Sequence, residues 1–370
     1  MSYKNENMKT IELHENGLDI QFRIRENGVV ELADFSSQEV KKAVMEPKED
    51  ICYPAVVIHR SGTGSLNMHA YKNNINQSSV DFVYENHELK AQAGGKELEI
   101  VMISPEKLKA VYHMRLFDGV PAVQTWTEII NEGSADQGLT YVSSFMYQGI
   151  SRGGNKPYYK KTDIYVPFNS WCCEAQWQKY DAETLNLNGM VVDGFNHQGY
   201  GLNRYCYSGK GTWSTCEYLP MGIAEDRETG ETYIFQIESS GQWLAEYGSA
   251  QGGNLYLALS GATEQEHGWY KNLKPGESFT TVPAGAAVVK GGLNPAAAAL
   301  TRYRRKVRRP NTDDEKLNVV FNDYMNCLMG DPIESTEKEI IDKALFDSKM
   351  STENAVRSKE FTNQIISLAN

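Results

Sequence analysis

The sequence predicts a mainly β protein: one large antiparallel β-sandwich over residues 1 to about 295, then a helix and a single strand–helix unit. Three observations carry this reading. Alternating apolar and polar runs recur from residue 8 to about 290 with turn signals between them, and helical periodicity is nearly absent over that span. The 31 glycines and 11% aromatic residues suit turns and half-buried strands. Near Asn294-Pro295 the spacing becomes helical. Many short strands with regular turns make a sandwich, and this length makes it an enlarged one. No fixed-period repeat is present.

Taken in order, Ile20–Ile24 alternates and stops at Glu26-Asn-Gly28, a hairpin signal. Leu98–Ile103 is a short strand ended by Ser104-Pro105, and Ala122–Ile130 is the longest strand, closed by Asn131-Glu-Gly133. Leu139–Phe145, Thr232–Glu238 and Asn254–Leu259 follow the same period of two, and Leu273–Thr281 is a turn feeding a strand. Ala296–Arg309 reads as a helix, because Ala296, Leu300, Tyr303 and Val307 fall on one face. Its other face carries Arg302, Arg304, Arg305, Lys306, Arg308 and Arg309, which reads as a solvated or domain-bridging surface. Together with the charged stretch Pro310–Lys316 this helix forms a linker over 296–316. Leu317–Phe321 is a short buried-type strand, and Ser335–Leu345 is a helix with a capping serine and early acids, giving one βα unit over 317–345. Residues 346–370 form a polar, weakly periodic tail.

Composition narrows the function. Apolar residues make up 41% and charged residues 23%, ordinary for a globular protein. A net charge of −11 disfavours nucleic acid and anionic membrane, which attract cationic surfaces. Met1–Met8 has no apolar core, so no secretory signal is expected, and no run approaches the roughly 20 apolar residues of a membrane span. A cytoplasmic location follows as the expectation. The six cysteines include no C-x-x-C pair and are expected to be free thiols, with adjacent Cys172-Cys173 read as two neighbouring buried thiols. The seven histidines show neither H-x-x-x-H nor H-E-x-x-H spacing, so neither a zinc site nor any other cofactor is expected.

Three stretches combine tryptophan with amides and carboxylates: Phe168–Trp177, Gly211–Gly222 and Gln236–Trp243. Exposed indole rings cover the C–H face of a sugar while amides and carboxylates meet its hydroxyls, although tryptophan in a sandwich is more often core. These stretches, with Trp126–Ser134, the turn Leu273-Lys-Pro-Gly-Glu-Ser-Phe279, Tyr303-Arg-Arg305 and above all Phe321-Asn-Asp-Tyr-Met-Asn-Cys-Leu-Met-Gly-Asp-Pro332, resemble the bacterial α-galactosidases of glycoside hydrolase family 36. The resemblance runs in order from about residue 8 to about Leu345.

The resemblance implies an N-terminal β-supersandwich, here followed by a linker helix and the first βα unit of an incomplete (β/α)8 barrel. It implies retaining hydrolysis of terminal α-galactosides such as raffinose-type sugars, and oligomers in which a neighbour's N-terminal domain borders the active site. A retaining glycosidase uses two carboxyl groups about 5 Å apart. In the family both lie on later barrel strands, and this sequence has no counterpart for either, so no catalytic residue is assigned and the chain alone is expected to be inactive. A whole barrel takes about 250 residues, and after Leu345 the match to the family ends abruptly, which reads as truncation, frameshift or recombination. By resemblance Asn322, Asp323 and Tyr324 end barrel strand one at the galactose subsite, with Tyr324 where many relatives carry tryptophan. Asn169 and Trp171 are a second candidate, reaching a leaving-group or neighbouring-subunit subsite, and the loop His59–Asn76 is a third. Expected partners are galactosides, further copies of the chain or a separate barrel domain. The competing reading is a non-catalytic carbohydrate-binding or subunit-assembly module.

Overall fold

In the computed structural model, residues 8–42, 44–46, 52–63, 72–74, 77–187, 203–250, 254–312 and 315 are described. The strands begin with β1 Lys9–Glu15, β2 Leu18–Ile24, β3 Val30–Ser37, β4 Ile58–Arg60, β5 Val83–Gln92, β6 Gly95–Ile103, β7 Leu108–Phe117, β8 Val120–Asn131 and β9 Gln137–Ile150. They continue with β10 Thr162–Ser170, β11 Cys173–Asp181, β12 Arg204–Gly209, β13 Met221–Asp226, β14 Glu231–Ile237 and β15 Trp243–Ala250. The last are β16 Asn254–Ser260, β17 Lys271–Leu273, β18 Ser278–Thr280 and β19 Ala284–Lys290. The α-helices among the described residues are α1 Gln77–Val80, α2 Glu264–His267 and α3 Leu293–Val307.

Among the described residues the strands form three antiparallel sheets. A ten-stranded sheet runs β11-β10-β13-β14-β19-β8-β7-β6-β5, with β18 also on β8. A six-stranded sheet runs β12-β15-β16-β9-β17 with β4 on β9, and β1-β2-β3 makes the third. The expected mainly β, antiparallel architecture is the one observed. Alternation explains it locally. On β8, Thr125, Thr127 and Ile129 point inward while Gln124, Trp126 and Glu128 are half-exposed. Inward residues of all three sheets share one core, where the Phe35 ring meets Phe145 and Tyr147 edge-on at 5.5 and 6.1 Å. The turn read at Glu26-Asn-Gly28 is present: Gly28 has φ +86°, and a Cβ there would lie 2.8 Å from Val83.

The chain divides into two units, Met1–Val307 and Arg308–Asn370. Helix α3 starts at Leu293, earlier than its apolar spacing indicated, after Gly291 and Gly292 at positive φ. Ala296, Ala299, Leu300 and Tyr303 are buried against Phe117, Val120, Ala122, Ile223, Ile234 and Ala287 on the outward face of the ten-stranded sheet. Arg302, Arg304, Arg305 and Lys306 are exposed. Tyr303 donates to Glu238 Oε1 at 2.5 Å and lies over Gly285, where a Cβ would come within 2.4 Å of its ring. The strand Leu317–Phe321, the helix Ser335–Leu345 and the tail lie outside the described residues.

Candidate functional site

Strand β11 is the edge of the ten-stranded sheet. It is exposed along most of its length, including its first four residues: Cys173, Ala175 and Trp177 alternate with Glu174, Gln176 and Gln178, but of these only Trp177 is half-buried. The β10–β11 hairpin therefore projects, and its turn carries Trp171, 82% exposed. Cys172 has φ +61° and Ala175 φ +53°, both in the left-handed region. A bulge between Phe168 and Ser170 brings Ser170 opposite Cys173. The two cysteines expected to be buried are instead exposed. Their position at the tip of an edge hairpin, beyond any covering layer, is the reason.

Asn169 organises the turn end of the hairpin. Its Nδ2 donates to Thr215 O at 2.5 Å, its Oδ1 accepts from Ala175 N–H at 2.9 Å, and its own N–H donates to Glu217 O at 2.8 Å. One amide proton and one oxygen lone pair of the side chain remain for a ligand. The adjoining loop brings Trp213, 71% exposed, and is anchored where Trp243 Nε1 donates to Ser214 O at 2.6 Å. Between hairpin and loop lies an open groove of about 430 Å³ lined by Phe168, Asn169, Ser170, Cys173, Gln176, Cys216, Glu217 and Tyr218. That size suits a small ligand. Its aromatic floor continues inward: Phe168–Tyr218, Tyr218–Tyr207 and Tyr207–Trp243 centroids are 5.2, 5.4 and 5.8 Å apart.

The tryptophans thus divide by environment. Trp243 is fully buried, Trp126, Trp177 and Trp269 are half-buried, and Trp171 and Trp213 present their rings to solvent. Asn169 and Trp171 share one hairpin, whereas Asn322, Asp323 and Tyr324 lie outside the described residues. Of the loop His59–Asn76, His59, Arg60, Lys72, Asn73 and Asn74 are buried. Burial lowers the His59 imidazole to about 4 and the Lys72 ammonium to about 8. Glu246, fully buried on β15, accepts from Asn73 N at 2.8 Å and Asn73 Nδ2 at 2.9 Å. It also accepts from Arg204 Nη1 at 2.7 Å and Tyr256 OH at 2.5 Å. Burial pushes the Cys52 thiol up to about 12 and Cys206 to about 11.

Solved structures place this fold. The glycoside hydrolase family 36 α-galactosidase AgaA of Geobacillus stearothermophilus, solved with stachyose, matches with TM-score 0.67 at 15% identity, over 93% of this chain and 49% of its own. The chain has the N-terminal sandwich fold of family 36 α-galactosidases. AgaB of the same organism matches with TM-score 0.67 at 14% identity over 95% of this chain and 49% of its own. The α-galactosidase of Lactobacillus brevis matches with TM-score 0.59 at 14% identity, over 82% and 42%. This chain spans about half the length of the family 36 structures it matches. No protein-family model and no curated protein matches it.

Proposed function

We propose that this chain is the N-terminal region of an α-galactosidase-type glycoside hydrolase acting on terminal α-galactosides, and that these 370 residues by themselves do not hydrolyse one. The carrying observation is the family 36 sandwich fold, joined in the sequence to the Phe321–Pro332 motif. Inactivity follows from the chemistry: retention needs a nucleophile and an acid/base about 5 Å apart, and by the family resemblance both belong to barrel strands with no counterpart in this sequence. Losing one member of such a pair removes at least the 10²–10⁴-fold that a positioned acid or base supplies. Asn322, Asp323 and Tyr324 are proposed to line the galactose subsite once a barrel is present. The free cysteines Cys52, Cys172, Cys173, Cys206 and Cys216 support a reducing, cytoplasmic setting. The purified chain is expected to show no turnover of a chromogenic α-galactoside, and turnover at a few per cent of a full-length α-galactosidase overturns the reading.

A second reading, a carbohydrate-binding or subunit-assembly module, is favoured by one observation: Trp171 projects beside a groove bearing free amide capacity on Asn169. Calorimetric titration with galactose and raffinose tests it. Binding lost in Trp171→Ala supports it, and absence of saturable heat removes the lectin form. Chain assembly is then read by light scattering, with a monomer removing the homo-oligomer.

A further inference from the structure

At the opposite end of the ten-stranded sheet from the hairpin, β6 and β7 carry a cluster of mixed donors. His113 stands directly opposite Glu99 in the register, with Glu97 two residues along the same strand face. His113 Nδ1 lies 3.0 Å from Glu97 Oε1 and 3.8 Å from Glu99 Oε1. One donor atom from each side chain falls within 4.8 Å of the other two. The three side chains are only 10, 22 and 12% exposed for Glu97, Glu99 and His113.

The surroundings fix all three. Gln92 Nε2 donates to Glu97 Oε2 at 2.6 Å, and Lys90 Nζ donates to Glu99 Oε2 at 2.5 Å. Each carboxylate therefore has its second oxygen held from outside and its first oxygen turned toward the imidazole. Trp126, opposite His113 on β8, stacks on the ring at 4.7 Å with planes 8° apart and sets its orientation. A hydrogen bond between His113 and Glu97 explains one of the two approaches. Glu99 Oε1 at 3.8 Å is beyond hydrogen-bond range, yet it converges on the same nitrogen.

We propose that Glu97, Glu99 and His113 bind a divalent transition-metal cation, with Zn²⁺ the best chemical fit. Zinc takes imidazole nitrogen and carboxylate oxygen at about 2.0–2.2 Å in tetrahedral geometry, which sets donor–donor edges near 3.4 Å. The observed separations of 3.0 and 3.8 Å bracket that edge. Three protein ligands leave a fourth position for water. Gln92 and Lys90 act as the outer groups that orient metal ligands, and Trp126 fixes the ring. The ion ties β6 to β7 on the face of the sheet turned away from the core.

The test uses the full chain after chelator treatment. Zn²⁺ is titrated calorimetrically into wild type, His113→Gln and Glu99→Gln, and Ni²⁺ is titrated while tryptophan emission is followed. One saturable Zn²⁺ per chain is expected, with affinity reduced at least ~10-fold in each variant that keeps the wild-type circular dichroism. Ni²⁺ is expected to quench a fraction of the emission that Trp126→Phe removes, a readout that leaves all three ligands in place. Absence of saturable Zn²⁺ binding shows a hydrogen-bonded cluster only and overturns the proposal. Unchanged affinity in a folded ligand variant, or zinc binding abolished by Cys172→Ser/Cys173→Ser, overturns it equally.

Discussion

Glu246→Gln is the sharpest probe of how the sandwich holds the loop beside β15. Each Glu246 oxygen accepts two hydrogen bonds: Oε1 from Asn73 N and Tyr256 OH, Oε2 from Asn73 Nδ2 and Arg204 Nη1. Glutamine replaces one acceptor oxygen by a donor. With the new NH₂ at the Oε2 position it faces Arg204 Nη1, a cation that can only donate, and the Asn73 amide must flip its otherwise unpartnered Oδ1 into place to accept, the worse choice. With NH₂ at the Oε1 position, the Tyr256 hydroxyl rotates to accept, but Asn73 N–H is left facing a donor. One orphaned buried donor costs about 1–3 kcal/mol, and a charge-assisted bond made neutral loses about 1 kcal/mol more. Arg204 keeps Glu266 at 2.8 Å, so its charge is not stranded. The sum is about 2–4 kcal/mol. Glu246→Leu, which removes the acceptor of all four hydrogen bonds, is expected to cost about 3–5 kcal/mol. Urea unfolding followed by circular dichroism measures both, as a fall in midpoint at unchanged slope. A Glu246→Gln midpoint equivalent to less than about 0.5 kcal/mol refutes the reasoning.

Gly285→Ala is expected to destabilise by about 1–3 kcal/mol, because its Cβ would sit 2.4 Å from the Tyr303 ring that docks α3; an unchanged urea midpoint counts against this. Alkylation of native protein followed by peptide mass mapping should label Cys172, Cys173 and Cys216 and spare Cys52 and Cys206, whose thiols burial holds near 12 and 11; early labelling of Cys52 would contradict it. The buried His59 imidazole titrates near 4 in the folded protein against about 6.5 unfolded. Between those values the unfolded chain holds the extra proton, so this contribution is full above pH 6.5 and is lost as pH falls to 4, by up to about 3 kcal/mol. His59→Gln should flatten that slope, and a slope unchanged by the variant removes His59 as its source.

The fold was legible where one sheet face is buried and the other wet. Thr125, Trp126, Thr127 and Glu128 alternate because β8 lies between core and solvent, and that alternation can be read directly. Strand β11 carried a misleading signal: Cys173, Ala175 and Trp177 alternate with Glu174, Gln176 and Gln178 as in a half-buried strand, but β11 is an edge strand and of these only Trp177 is half-buried. The same fact reversed the expectation for Cys172-Cys173: thiols are buried on average, and only the position of the hairpin in the sheet shows that these are not.

Sites follow the same division. The Trp171 hairpin was marked in sequence because its aromatic and amide residues are neighbours in the chain. Glu97, Glu99 and His113 carried no such mark. Glu97-x-Glu99 is an unremarkable strand pattern, and His113 has no histidine at ligand spacing. What joins them is the β6–β7 register, Glu99 opposite His113. A slip of one residue would turn the imidazole to the other face of the sheet. That register is held in place by Leu98, Ile100, Tyr112 and Met114, fully buried on the inward face. The core packing that secures the sandwich therefore also sets the donor geometry outside it. A metal titration that fails in Glu99→Gln while the unfolding midpoint holds would separate the two roles.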